Sequence, residues 1–433
     1  MSGIPEGWRE TTFGDVVRNV SINEKKLPKS RYSEIGRFPV IDQGQEFLGG
    51  YSDDSTKVVD ADLPLLIFGD HTRIFKYLNQ PFVPGADGIK VLKPVGVHEK
   101  WLYHIAHALE FPDKGYARHY HHLKQARLLV PPLPEQHRIV ARIEELFSRL
   151  DAGVASLRHA KAQLKRYRQS VLTAAVTGQL TAEWREQHPD VEPASELLER
   201  ILKKRREEWK GRGRYKEPAK QNKLPELRVP GSWVWTTLEA LTTKISDGEH
   251  FRPNVVDHGV PFLSAKDVRD NGVRFDEVLY VTARDANRLR VRCNPDKDDV
   301  LIVSRGATVG RCCVVQIAEP FCLLGSVILL KVAKEIPSRF VLSLLKSPGG
   351  LKQLTEVSGS TAQQAIYLRD IKSLAFPLPP LAEQHQIVAE VEARTTAIDH
   401  LEVELDRQLA RSDRLRQSIL ASAFKGELIH EFN

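Results

Sequence analysis

The sequence predicts an α+β protein in which two globular domains are joined by two long antiparallel coiled-coil spacer helices, arranged as a pseudo-twofold internal repeat. Three observations carry that expectation. Residues 131–180 realign on 379–428 at a constant offset of 248, with 21 identities in 50 positions. The repeated segment carries apolar residues at seven-residue spacing. A shorter echo, Pro5-Glu6-Gly7-Trp8 with Thr11-Thr12 against Pro230-Gly231-Ser232-Trp233 with Thr236-Thr237, marks where each module begins. The offset is too long for a solenoid, so a whole module is used twice.

The order of parts follows. Residues 1–132 form the first globular domain, 133–182 the first spacer helix, 183–228 a basic inserted linker, 229–378 the second globular domain and 379–430 the second spacer helix.

Each spacer helix has helix punctuation. From Glu135 to Val176 there is no proline and one glycine, Gly153, between Pro131-Pro132-Leu133-Pro134 and Gly178. Ile143, Leu150, Leu157, Leu164 and Val171 form one seam row, and Ile139, Leu146, Ala160, Tyr167 and Ala174 the other. The second copy gives Val391, Ile398, Leu405 and Ile419 with Ile387, Leu401 and Leu415, interrupted by Arg394, Gln408 and Ser412. An apolar stripe this long needs cover, and pairing the two copies supplies it. A helix of about 44 residues rises about 66 Å, which caps a spacing along duplex DNA at roughly 19 base pairs.

At 433 residues the chain has room for roughly two to three domains. Hydrophobic content of 41% and a mean hydropathy of −0.34 are those of an ordinary globular protein. With no run of 18 apolar residues and no secretory pattern, a cytoplasmic location is expected. Cys293, Cys312, Cys313 and Cys322 lack C-x-x-C spacing and read as buried reduced thiols. The net charge is +7, and residues 203–223 hold ten basic against three acidic side chains. That density fits a polyanion such as nucleic acid, or equally a solvated linker.

In both variable regions an apolar strand runs into a polar turn: Leu65 to Phe68 into Gly69-Asp70-His71-Thr72-Arg73, and Val300 to Val303 into Ser304-Arg305-Gly306-Ala307-Thr308. Glycine beside Arg, Ser and Thr lets side chains project into a groove, where Arg forks onto guanine and hydroxyls reach phosphate. The candidate DNA-contacting residues are His71, Thr72, Arg73, Tyr116, Arg118, His119 and Tyr120 in the first region. In the second they are Ser304, Arg305, Thr308, Arg311, Ser360, Thr361, Gln363 and Gln364. A solvated surface and plain turn chemistry are the alternatives for these loops.

No phosphate loop, zincin pair, amino-methyltransferase Asn-Pro-Pro segment or nuclease carboxylate pattern is found, so no catalytic residue and no metal site is expected. The repeated P-P-L-x-E-Q-H-x-I-V segments at 131 and 379, the endings Arg166 to Leu180 and Arg414 to Leu428, and the Ser304-to-Thr308 and Gly359-Ser360-Thr361 turns resemble the specificity subunit of type I restriction-modification enzymes. The insert 183–228 departs from that pattern in length and basicity.

The resemblance implies a non-catalytic DNA reader of two target-recognition domains, each taking half of an asymmetric bipartite site. It implies two methyltransferase subunits as partners, and restriction subunits through them. S-adenosylmethionine, ATP and Mg2+ would be used by those partners and not by this chain. Glu135, Gln136, His137, Glu383, Gln384 and His385 are the candidate docking residues, with helix-start packing as their alternative. A non-specific DNA-binding adaptor and a stand-alone DNA-modifying enzyme are the rival functions.

Overall fold

The computed structural model describes residues 4–85, 88–109, 117–209, 213–220, 227–251, 253–359 and 364–428. The chain divides into two compact units, residues 1–159 with 404–433, and residues 160–403.

The predicted long helices are Leu133–Thr177, of 45 residues, and Leu381–Phe424, of 44. Both start just after Pro-Pro. They end ahead of Gly178 and Gly426, whose φ of +76° and +78° lie in the left-handed region that glycine enters without a Cβ penalty. In the first unit Ile139, Val140 and Ile143 are buried together with Ile419, Leu420 and Ala423. In the second, Val171, Leu172 and Ala175 are buried with Ile387 and Val391. Within each unit, then, the start of one helix lies beside the end of the other, which is antiparallel pairing.

One seam row is as expected: Ile143, Leu150, Leu157, Leu164 and Val171 are all buried or half-buried. In the other row Ile139 and Ile387 are buried and Leu146, Ala160 and Ala174 half-buried, but three members face outward. Tyr167, Leu401 and Leu415 are 46%, 53% and 49% exposed, while Val154, Lys161, Arg168 and Ala175 turn inward. Lys and Arg cover apolar surface with their stems while the charged head stays wet, so counting apolar residues misplaces those three positions and misses Lys161 and Arg168.

The two variable regions share one topology. In the first unit Arg9–Thr12 pairs with Arg127–Val130, and a four-stranded sheet runs in the order Val17–Val20, Ile89–Pro94, Leu65–Gly69, Phe75–Leu78. A three-stranded sheet runs Gly50–Ser52, Phe38–Ile41, Val83–Pro84. In the second unit Val234–Thr237 pairs with Ala375–Leu378, and the four-stranded order is Thr242–Asp247, Val327–Val332, Val300–Val303, Cys312–Val314. Its three-stranded sheet is Leu279–Val281, Val260–Leu263, Cys322–Leu323. The strands Leu65–Gly69 and Val300–Val303 therefore occupy the same place, and both are wholly buried. All four cysteines are free and buried, and burial pushes the Cys312 and Cys313 thiols up to about 12.

The insert is more than a linker. Its helix Ala194–Glu207 buries Ala194, Leu197 and Ile201, and the latter two join the core of the second unit. Lys204 pairs with Glu335 at 2.6 Å, Arg205 bonds the Glu239 and Thr242 carbonyls, and Arg206 bonds Glu217. Part of the basic run is thus paired within the chain.

Candidate nucleic-acid interface

In the first unit the turn after Leu65–Gly69 closes on itself, Gly69 N donating to Ile74 O at 2.9 Å and Arg73 N to Gly69 O at 2.7 Å. A Cβ at Gly69 would collide with Thr72 Oγ1 and press on Gln43, so this tight turn needs glycine even at an ordinary φ. Arg73 itself is left-handed, with φ +61°, and is exposed. Thr72 Oγ1 donates to Gln43 O at 2.7 Å and His71 N to Gln43 Oε1 at 3.2 Å.

The turn is fastened to the 117–120 segment. His71 Nδ1 donates to Ala117 O at 3.2 Å. The Asp70 carbonyl accepts both His119 N, at 2.8 Å, and the His119 ring, at 3.1 Å, while Tyr120 N donates to Asp70 Oδ1 at 2.8 Å. Lys90 lies 4.0 Å from Asp70 Oδ2, and both Lys90 and Lys124 lie over the Tyr120 ring, at 5.5 and 5.7 Å. Burial, and then the Asp70 charge, raise the Tyr120 hydroxyl above the usual tyrosine range. His119 is fully buried, which corrects its assignment as a DNA contact: it is a latch between two loops. Arg118 is exposed and Tyr120 half-buried. Tyr116 lies outside the described residues.

The second unit repeats the arrangement with other residues. Ser304 stands where Asp70 does, and its carbonyl accepts Ile366 N at 2.9 Å. Arg305 forms a bridge with Ala365, so the 304–311 turn lies against the 364–366 segment. Gly306 and Gly310, with φ +104° and +85°, shape the turn, and Arg305 is exposed on it. Ser304 is buried and bonds Gly325 O at 3.4 Å, which removes it from the candidate contacts. Thr308 is half-buried, Arg311 reaches Val268 O at 3.5 Å, and Gln364 is exposed. Ser360, Thr361 and Gln363 lie outside the described residues.

A third segment meets the same rim and was not legible in the sequence. Gly248 N donates to Val327 O at 3.2 Å, Glu249 N to Leu323 O at 2.8 Å and Gly325 N to Glu249 O at 2.7 Å, while Ser304 N donates to Ser326 O at 2.8 Å. The 248–251 loop and the 304 turn are thus bonded to the same 323–327 stretch.

Three of the six candidate docking residues serve the fold instead. Gln136 is buried, donates to Pro131 O at 2.8 Å and accepts His98 N at 2.7 Å, where His98 caps the helix Glu99–Ala106. Gln384 likewise is buried and donates to Pro379 O at 2.9 Å. At the equivalent cap of the helix Ser338–Lys346 stands Pro337, which has no N–H, and Gln384 Oε1 has no partner among the described residues. Glu383, also buried, accepts Thr181 Oγ1 at 2.7 Å, Trp233 Nε1 at 2.8 Å and the Arg185 guanidinium. Water-exclusion explains the correction: Gln and Glu of a helix start are hidden once the globular domain packs over them. His137 and His385 remain exposed and Glu135 half-buried.

Comparison with known proteins agrees with this architecture. Residues 253–409 match the family model of the type I restriction modification DNA specificity domain. The type I restriction enzyme EcoBI specificity subunit of Escherichia coli is 28% identical over 312 residues, 71% of this chain and 59% of that protein. The EcoKI subunit of Escherichia coli K12 is 27% identical over 304 residues, 69% of this chain and 57% of that protein, so the match spans less than two thirds of either relative. The EcoDI subunit of Escherichia coli is 22% identical over 450 residues, covering 98% of this chain and 89% of that one. Among solved structures, a chain from work on complex assembly and conformational transition of the type I R-M system aligns with a TM-score of 0.67 at 19% identity, over 99% of this chain and 100% of that chain. The HsdS subunit from Thermoanaerobacter tengcongensis gives 0.51 at 20% identity over 98% of each, and both share the fold. Residues 253–409 thus match the type I restriction modification DNA specificity domain, and the chain as a whole is similar in sequence and fold to the type I restriction enzyme specificity subunits.

Proposed function

We propose that this chain is the sequence-reading, non-catalytic subunit of a type I restriction-modification complex. Each variable region reads one half of an asymmetric bipartite DNA site, and partner subunits methylate adenine or cleave. The observation that carries the reading is the repeated rim: in both units the turn after the central buried strand is latched to a later loop, with Arg73 on one rim and Arg305 on the other exposed. One topology with different rim residues is what two readers of unlike half-sites require.

In this reading the two long helices form an antiparallel spacer that fixes the half-site separation. Two methyltransferase subunits dock on the chain, through His137, His385 and the exposed faces of those helices, and restriction subunits join through them. S-adenosylmethionine, ATP and Mg2+ belong to those partners. Adenine methylation within a duplex needs the base turned out of the stack toward a partner, so this chain grips and orients the DNA.

Methylome sequencing of cells expressing the chain with its cognate methyltransferase tests the reading. A single asymmetric bipartite motif is expected. Methylation without a motif, or equal binding of the purified chain to unrelated duplexes at moderate salt, would leave only a phosphate-binding adaptor.

A further inference from the structure

The third segment on the rim of the second unit ends in Phe251, whose side chain is 81% exposed. Its loop is braced from below. A Cβ at Gly248 would collide with the Leu323 carbonyl, so the loop lies directly on the strand beneath it. The Glu249 carboxylate accepts His250 N at 2.9 Å and Phe251 N at 3.4 Å. His250 Nε2 lies 3.0 Å from Asp247 Oδ2 and 3.1 Å from an Arg292 nitrogen, and Arg292 also bonds Asp247. Val291, beside Arg292, is 82% exposed.

A phenyl ring held in water on a braced turn is unfavourable unless something covers it. Two features identify the cover. The loop is bonded to the 323–327 stretch that also holds Ser304, so Phe251 shares a rim with Arg305. At the base of the loop Arg292, His250, Asp247 and Glu249 form a charged, hydrogen-bonded collar, which suits a polar partner such as duplex DNA and not an apolar protein groove.

We infer that Phe251 is a wedge that stacks on, or enters between, adjacent base pairs of the half-site held by the second unit. Aromatic and aliphatic side chains at DNA interfaces unstack single steps in this way and so read deformability as well as base edges. The wedge rests on the DNA-reading function proposed above, and deepens it by assigning the position that distorts the duplex.

The test uses the full chain and a duplex carrying its methylome-defined site, with 2-aminopurine substituted in turn at each adenine or its neighbour. Binding of the unaltered chain should brighten one position in the half-site of the second unit. Phe251→Ala should abolish that signal and weaken binding about 5- to 150-fold, with the salt slope unchanged, whereas Phe251→Trp should restore both. If the unaltered chain shows no preference for the site, the DNA-reading function itself fails. If it prefers the site but no position brightens and Phe251→Ala binds equally well, the wedge is overturned. Loss of methyltransferase association with DNA binding intact would overturn it too, in favour of a protein contact.

Discussion

Arg416 on the second long helix bonds Asp151 on the first and lies over the Phe147 ring, its guanidinium carbon 4.3 Å from the centroid. The residues one repeat away make the equivalent ion pair in the other unit: Arg168 bonds Asp399 at 2.6 Å and Glu402 at 3.0 Å. Arg and Asp are identical in both copies of the repeat, and in each pair the residue numbers add to 567. One antiparallel register therefore holds in each unit, and a polar pair at the seam is the kind of contact that excludes neighbouring registers.

Because Asp399 and Asp151 are 65% and 63% exposed, the pairs specify more than they stabilise. A double-mutant cycle on Arg168→Met and Asp399→Asn, read by chemical denaturation, should give a coupling of about 0.2–1 kcal/mol. A coupling above 3 kcal/mol would show a pair far more desolvated than this.

Glu383 should behave differently. Its carboxylate is fully buried against Thr181, Trp233 and Arg185, so Glu383→Ala leaves a partly buried guanidinium unpaired and should cost about 3–5 kcal/mol. Trp233→Phe should cost about 1–3 kcal/mol through one lost donor to a buried anion. Unfolding of the full chain, followed by tryptophan fluorescence for the first variant and circular dichroism for both, checks the order.

Acid should weaken the first unit through His104. Burial pushes its imidazole from 6.5 down to about 4, against the opposing pull of Glu144. The unfolded chain then binds the proton first, so stability is full above pH 6.5 and falls as pH drops from 6.5 toward 4. The total is about 3 kcal/mol. Thermal midpoints measured across that window should fall less steeply in His104→Phe; an identical slope would assign the loss to other groups.

The insert should prove structural. Leu197 is fully buried in the core of the second unit, so Leu197→Ala should destabilise by about 2–5 kcal/mol. Lys203→Ala, at an exposed position on the same helix, should stay within about 0.5 kcal/mol of the parent. Denaturant midpoints distinguish a packed helix from a tether.

On the recognition rims, Arg305→Ala should cost about 1–3 kcal/mol at one base pair of the half-site read by the second unit and relax preference there. Arg73→Ala should do so in the other half. Competition binding against single-base variants of the site reads both effects, and a uniform loss across all variants would make either residue a phosphate contact.

The long helices, the strands before the two turns and the pairing of copies were legible because they rest on local periodicity and on a repeated string. What hides from that reading is set by distant contacts. His119 looks like a basic loop residue until the Asp70 carbonyl, 49 positions earlier, accepts its backbone N–H and its ring Nδ1. Arg168 interrupts an apolar count yet occupies the seam, because its carboxylate partners lie over 230 residues away. Phe251 sits in a stretch with no motif, and only the backbone bonds to 323–327 put it on the rim. The common topology of the two variable regions was invisible for the same reason, since their sequences agree in burial pattern and not in residues.

Gln136 and Gln384 are the same residue at the same place in the two copies, with different surroundings. Both copies have the glutamine and its bond to the proline carbonyl five residues earlier, but among the described residues only Gln136 also meets an N–H, from His98; opposite Gln384 stands Pro337, which has none. The two helix starts are thus alike in residue and in their own backbone bond, while the domains packed over them differ in what they offer the same side chain. Compared copy against copy, such a mismatch separates what the helix fixes for itself from what each domain supplies.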